Sequence, residues 1–344
     1  MDVFGNILLL AVSFFLLAKG ADFFVDGASG IATKLKIPQI IIGLTIVAMG
    51  TSAPEAAVSL SAALEQNAAI TIGNVVGSNI LNILIILGIS AAITWLAVGK
   101  DTNFVDTPVM LGATVLLLVT GLDGSINYVD GIIFLAVFIL YLVYLFVIAR
   151  KRINKRQLAE GKSLFAADDS VVPLMYRPEG FDENDPDYVA AKKARGLSLP
   201  VALILAALGL TMIIFGSNFA VDSATFLARK MGVSDRFIGL TIVALGTSLP
   251  ELFTSVTAAI KKNADIAVGN IVGSNIFNIL FIVGLTSVIT EVPFAQNFLI
   301  DTAVAFGAGL LLWIPCLVKK GIGRITGVAM LVCYCGYFAY LLLI

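Results

Sequence analysis

The sequence predicts an all-α membrane protein. Ten transmembrane helices form two inverted five-helix repeats, with helices broken near the bilayer centre. Three observations lead there. The 344-residue chain is 59% hydrophobic and 13% charged, whereas a soluble domain carries about 25% charged residues. An apolar motif containing glycine and proline occurs twice, "GLTIVAMGTSAPEAAVSL" at 43–60 and "GLTIVALGTSLPELFTSV" at 239–256. Each copy is followed by further apolar spans, giving five crossings per half. An odd number of crossings forces the second copy to enter the membrane upside down.

A spanning helix needs about 20 mostly apolar residues. Ten stretches meet that measure, near 3–28, 37–64, 70–96, 104–121, 128–149, 197–228, 236–260, 266–290, 297–318 and 322–344. They group into a first half, 1–149, and a second half, 197–344, each holding one repeat (about 37–93 and 236–289). Between the halves lies the one long polar segment, 150–196, with "RKRINKR" followed by "RPEGFDENDPDY". It reads as a solvated linker, since "DENDPD" lacks the glycine and distal glutamate of an EF-hand loop. The acidic start and the absence of a small-residue cleavage site predict a retained first helix rather than a signal peptide. Placing 150–196 in the cytoplasm gathers Lys34, Lys36, Lys100, Lys261, Lys262, Lys319, Lys320 and Arg324 there. Arg229, Lys230 and Arg236 alone then remain on the outer loops. The positive-inside rule therefore predicts a multi-pass cell-membrane protein with both termini outside.

An offset of 196 relates Glu55 to Glu251, Gly43 to Gly239 and Asn82 to Asn278, and it holds without a gap from about 16 to 93. At the centre of each copy stands a proline. Pro54 removes the helical donor from the carbonyl of Gly50, and Pro250 does the same to Gly246. In hydrocarbon such a carbonyl survives only beside protein or a polar cavity. A proline kink that merely shapes packing accounts for that much, and a bound cation accounts for it too.

The flanking residues favour the cation. Ala48, Thr51, Ser52 and Glu55 fall at i, i+3, i+4 and i+7, one helical face, and Ala244, Thr247, Ser248 and Glu251 repeat them. The next helices carry "GNVVGSNILN" and "GNIVGSNIFN", placing Ser78 four residues before Asn82 and Ser274 four before Asn278. Every group offered is an oxygen, which suits a hard cation such as Ca2+ with its six to eight oxygen ligands. The glycines of these motifs also let helices approach closely. Histidine is absent, and Cys316, Cys333 and Cys335 lack paired-ligand spacing, so a transition-metal site is not indicated. A net charge of −1 gives no reason for a nucleic-acid partner.

The glutamates carry the most weight. A carboxylate at the bilayer centre costs at least about 2.5 kcal/mol, and two facing each other also repel. Neither motif has a lysine or arginine at a matching position. A protonated, hydrogen-bonded pair is one solution; a cation between them balances the charge and explains the oxygen-rich surroundings.

The paired "GTSAPE" and "GTSLPE" motifs, each followed by "GNxVGSNIxN", resemble the alpha-repeats of the cation/Ca2+ exchanger superfamily, and within it the sodium/calcium exchanger branch. The resemblance covers nearly the whole chain outside 150–196. It implies an electrogenic antiport of three Na+ for one Ca2+ by alternating access, with no cofactor, no enzymatic step and no obligatory protein partner. It implies that Glu55 and Glu251 are central ligands shared by both ions. Thr51, Ser52, Thr247 and Ser248 flank them, with the main-chain carbonyls of Ala48 and Ala244. Ser78 and Ser274 match outer Na+ positions, and Asn82 and Asn278 the midplane polar pair. Asparagine at 278, where potassium-dependent relatives carry aspartate, argues against K+ cotransport. The linker is also too short for the paired calcium-sensing domains of animal exchangers.

Other readings are a proton/Ca2+ exchanger, a cation channel, an intramembrane hydrolase and a scaffold with a structural polar core. The hydrolase fails because no histidine exists and no lysine sits beside Ser52 or Ser248. Asp26 and Asp222 are expected to be structural, facing water or pairing with Lys34 or Arg229, and Lys19 to snorkel.

Overall fold

Long apolar runs become the outer helices here, and prolines mark where the inner helices restart. The computed structural model describes residues 3–35, 37–65, 67–163, 197–232 and 244–343. The first half contains α1 (Val3–Lys34), α2 (Gln39–Thr51), α3 (Ala53–Leu64), α4 (Ala69–Ile93), β1 (Leu96–Ala97), α5 (Thr102–Asp123), β2 (Ser125–Ile126) and α6 (Tyr128–Ser163). The second contains α7 (Leu199–Lys230), α8 (Ala244–Thr247), α9 (Leu249–Ile260), α10 (Ala264–Ile289), β3 (Val292–Pro293), α11 (Gln296–Lys319), β4 (Gly321–Ile322) and α12 (Arg324–Leu343).

Both ends of α1, α3, β1 and β2 recur at the 196 offset as those of α7, α9, β3 and β4, and α6 and α12 start at the same interval. The structural repeat is therefore longer than the 16–93 window visible in the sequence. Among the described residues, eight helices are long and apolar enough to cross a membrane, or nine when α2 and α3, bent by 47°, are taken as one span. The 236–243 part of the predicted seventh span and residues 164–196 of the predicted linker lie outside the described residues. The segment expected to be linker from residue 150 begins as helix, because α6 continues to Ser163. α1 and α7 also run further than expected, to Lys34 and Lys230.

Burial is arranged for hydrocarbon. The exposed faces of α1, α6 and α12 carry Phe4, Phe15, Phe146 and Val332, while Glu55, Glu251, Asn82 and Asn278 are enclosed. The most enclosed helices are α10 and then α4, which form the centre of the molecule. Each loosens into a π-helical turn that begins at the last residue of its motif, Asn82–Leu87 in α4 and Asn278–Val283 in α10. Such turns often occur at functional sites.

α1 and α7 cross closely because glycine removes the side chains that would separate them. A Cβ on Gly20 would stand 2.9 Å from the Gly209 carbonyl oxygen, and one on Gly209 would stand 2.6 Å from that of Gly20. Four two-residue strands qualify the all-α expectation. β1 pairs antiparallel with β4 (Leu96 opposite Ile322), and β2 with β3 (Ser125 opposite Pro293). Each strand thus pairs with the counterpart of the other one, the reciprocal pattern a two-fold relation produces.

One expected ion pair is replaced. Asp26 pairs with Lys261 rather than Lys34: the Lys261 Nζ lies 2.7 Å from the Asp26 carboxylate and 3.3 Å from that of Asp22. The lysine at the end of α9 therefore ties that half to α1, a long-range contact that spacing along one helix does not reveal. Lys19 lies 3.6 Å from Asp22.

Candidate ion-binding site

The proline question is answered by where each helix restarts. Ser52 leaves helical geometry (φ −82°, ψ 8°) and Ser248 does the same (φ −90°, ψ 4°). Pro54 and Pro250 then fall in the first turn of α3 and α9, where a missing N–H is harmless. The break sets each glutamate in that same first turn. There the positive end of the helix dipole favours a carboxylate. The C-terminal end of α2 meets the same place with its carbonyls, a negative end that favours cations.

Each serine at the break leaves its own helix uncapped. Its hydroxyl crosses to the other half instead: Ser52 Oγ donates to Glu251 Oε1 at 2.7 Å, and Ser248 Oγ to Glu55 Oε1 at 3.3 Å. Both carboxylates are fully buried and close enough to repel each other. Hydroxyls and main-chain groups act on both, and Glu251 acts on Glu55, with no lysine or arginine among these groups. Ser52, Glu55, Ser248 and Glu251 are thus brought together from both halves.

Ser78 Oγ lies 3.4 Å from Ser248 Oγ. Thr247 faces Glu55, and Thr51 and Ser274 face Glu251. The Ala48 carbonyl accepts from Thr51 Oγ1 at 3.3 Å and from Ser274 Oγ at 3.4 Å. Ala244 opens α8, and the side chain there is outside the described part. Asn82 and Asn278 stand where α4 and α10 loosen. The Gly246 carbonyl, freed by Pro250, needs no cation: Ser217 Oγ of α7 donates to it at 2.6 Å.

Four asparagines outside the predicted set also belong here. Asn74 donates to the Glu55 main-chain carbonyl at 3.1 Å and to Ser59 Oγ at 3.0 Å. Asn270 donates to Ser255 Oγ at 2.9 Å and accepts from Thr51 Oγ1 at 3.0 Å. Asn79 and Asn275 bridge the two motifs. Their signal was present, since Asn74 and Asn79 of the first "GNxVGSNIxN" copy recur as Asn270 and Asn275 of the second.

One chemical feature unites the centre. Among the described residues, eleven buried side-chain oxygens lack a hydrogen-bond partner, and four of them come from the acids and motif asparagines of this centre: Glu55 Oε2, Glu251 Oε2, Asn82 Oδ1 and Asn278 Oδ1. Carboxylate and amide oxygens buried without a partner call for an explanation. Among the described residues, no group of three or more His, Cys, Asp or Glu could hold a metal ion. Any cation here must be met by amide, hydroxyl and carbonyl oxygens as well as by the two acids, a donor set that fits Ca2+ or Na+ and not a soft transition metal.

The pattern of the sodium/calcium exchanger protein family matches residues 5–147 and 201–343, two stretches again 196 apart. The chain is 33% identical to the sodium/calcium exchanger MaX1 of Methanosarcina acetivorans over 345 aligned positions, covering 98% of each. It is 34% identical to the inner membrane protein YrbG of Escherichia coli, covering 89% of this chain and 88% of that one. A solved structure of the sodium-calcium exchanger NCX_Mj, soaked with Na+ and Sr2+, superimposes with a TM-score of 0.78 at 30% identity, covering 98% of this chain and 99% of that one. By pattern, sequence and fold alike, the chain belongs to the sodium/calcium exchanger protein family, whose members are membrane transporters.

Proposed function

We propose that this protein exchanges Na+ for Ca2+ by alternating access at the site between Glu55 and Glu251. The observation that carries this reading is the set of four unpartnered acceptor oxygens, two acids and two amides, contributed equally by the two halves. The names of MaX1 and NCX_Mj, both sodium/calcium exchangers, support it. Ten spans in two inverted halves, 1–149 and 197–344, would enclose the site at midplane, with 150–196 as a cytoplasmic loop and both termini outside.

Coupling follows from charge. With both glutamates ionised, the empty site carries two unpaired negative charges, which opposes reorientation through hydrocarbon. One Ca2+, or several Na+, compensates them and lowers that barrier. Both ions need the same oxygens, so they compete and the transport is an exchange. The ligands Thr51, Ser52, Ser78, Asn82 and the Ala48 carbonyl, with Thr247, Ser248, Ser274, Asn278 and the Ala244 carbonyl, supply the neutral oxygens around the acids. Three Na+ against one Ca2+ would move one net charge per cycle.

The test is Ca2+ uptake into vesicles holding the purified protein, under outward gradients of Na+, K+ or H+ applied separately. Uptake driven by Na+ alone, and stimulated by an inside-positive potential that favours the net outward movement of one positive charge, is the expected result under three-for-one exchange. Uptake driven by H+ would assign proton coupling, and uptake without any counter-gradient requirement would assign a channel.

A further inference from the structure

Asn82 and Asn278 each present an amide whose two ends differ by one atom, yet a cation accepts only the oxygen end. Something must fix which end faces the site. The neighbouring asparagines form a closed set that does so. Asn275 Nδ2 donates to the main-chain carbonyl of Asn79 at 3.2 Å, and Asn82 Nδ2 donates to Asn275 Oδ1 at 3.0 Å. The mirror set is the same: Asn79 Nδ2 donates to the Asn275 carbonyl at 3.2 Å, and Asn278 Nδ2 to Asn79 Oδ1 at 3.0 Å.

A carbonyl oxygen only accepts, so it must meet the NH2 end of an asparagine. That turns the Oδ1 of Asn275 and Asn79 toward the next amide, which must answer with its own NH2. The oxygens of Asn82 and Asn278 are then left over, and both are buried without a hydrogen-bond partner. Turning Asn82 round would set its oxygen against that of Asn275 and its NH2 against the cation. All four residues are buried, so water does not relieve the conflict.

We propose that Asn79 and Asn275 are positioning residues for ion binding, each holding the amide of the opposite half with its oxygen toward the ion. Asn79 orients Asn278, and Asn275 orients Asn82. The proposal rests on the cation-site reading above and deepens it. It also couples the halves: the polarity of each ligand is set by a residue from the other repeat.

Aspartate gives the test, because both ends of a carboxylate are oxygens and need no orientation. Ca2+ uptake driven by Na+ is measured in vesicles for wild type, Asn79→Leu, Asn278→Asp and the double variant, with KM for Ca2+ and maximal rate read separately. Asn79→Leu in the wild-type background is expected to raise KM by about tenfold or more, the scale of one hydrogen bond to a charged group. In the Asn278→Asp background, the same substitution is expected to change KM by less than about threefold. Asn79→Ala, which cannot overpack the site, is run through the same comparison and decides the matter if the leucine variant does not fold. Equal KM losses in both backgrounds, or no loss in the wild-type background, would overturn the proposal. Wild-type protein that shows no cation exchange would overturn the underlying reading instead, so the two failures are distinct.

Discussion

Glu55→Gln and Glu251→Gln each reduce Na+-driven Ca2+ exchange by about 10²-fold or more, the loss expected when one member of a buried charge arrangement is removed. Glutamine keeps the shape of the side chain and can still accept from the serine across the interface, Ser248 for position 55 and Ser52 for position 251. What disappears is one negative charge, so a folded but inactive protein is the expected outcome. The two substitutions should have similar effects, because the acids occupy equivalent places at the starts of α3 and α9. The measurement is initial uptake in vesicles, with melting temperature checked to establish folding. Wild-type rates in either variant would remove the acids from the mechanism.

Gly27→Val and Gly209→Val abolish recovery of folded protein. A Cβ on Gly27 would lie 2.7 Å from the Ala202 carbonyl oxygen and closer still to the Ala206 main-chain nitrogen. On Gly209 it would meet the main-chain nitrogen of Phe24 and stand 2.6 Å from the Gly20 carbonyl oxygen. Overpacking usually costs about 1–3 kcal/mol, and here the obstruction is backbone on both sides, which cannot rotate away. Both α1 and α7 would have to separate along their shared crossing. Gly112, exposed on α5 with nothing within 4 Å of a Cβ, is the control, and Gly112→Val should purify as wild type. Monodisperse yield after detergent extraction reads the difference.

Much of the fold was legible because the sequence is written twice. Gly43 with Gly239 and Glu55 with Glu251 gave the 196 offset, and the apolar runs around them gave the helices. The break at Ser52 was legible too, since Pro54 cannot sit inside a helix without leaving a carbonyl unmatched. What the sequence hides is contact between the copies. Ser217 answers the Gly246 carbonyl from a distant helix, and nothing local to either residue says so. Lys261 reaches Asp26 across more than two hundred residues, whereas Lys34 lay temptingly near in sequence. The strand pairs are two residues long, too short for any periodicity to register. Asn79 and Asn275 were visible as repeated letters, but their meaning lies in which amide end faces which carbonyl. That is a fact of packing, not of spacing.

The central claim is that a metal ion lies between the two acids, and diffraction locates it directly. Crystals grown without divalent ions and soaked in Sr2+ should give one strong anomalous peak within about 2.6 Å of Glu55 Oε2 and Glu251 Oε2, the range for hard-cation oxygen contacts. The peak should vanish in Glu55→Gln crystals of equal quality. A peak elsewhere in the bundle, or none in protein that still carries Ca2+ across vesicles, would contradict the account.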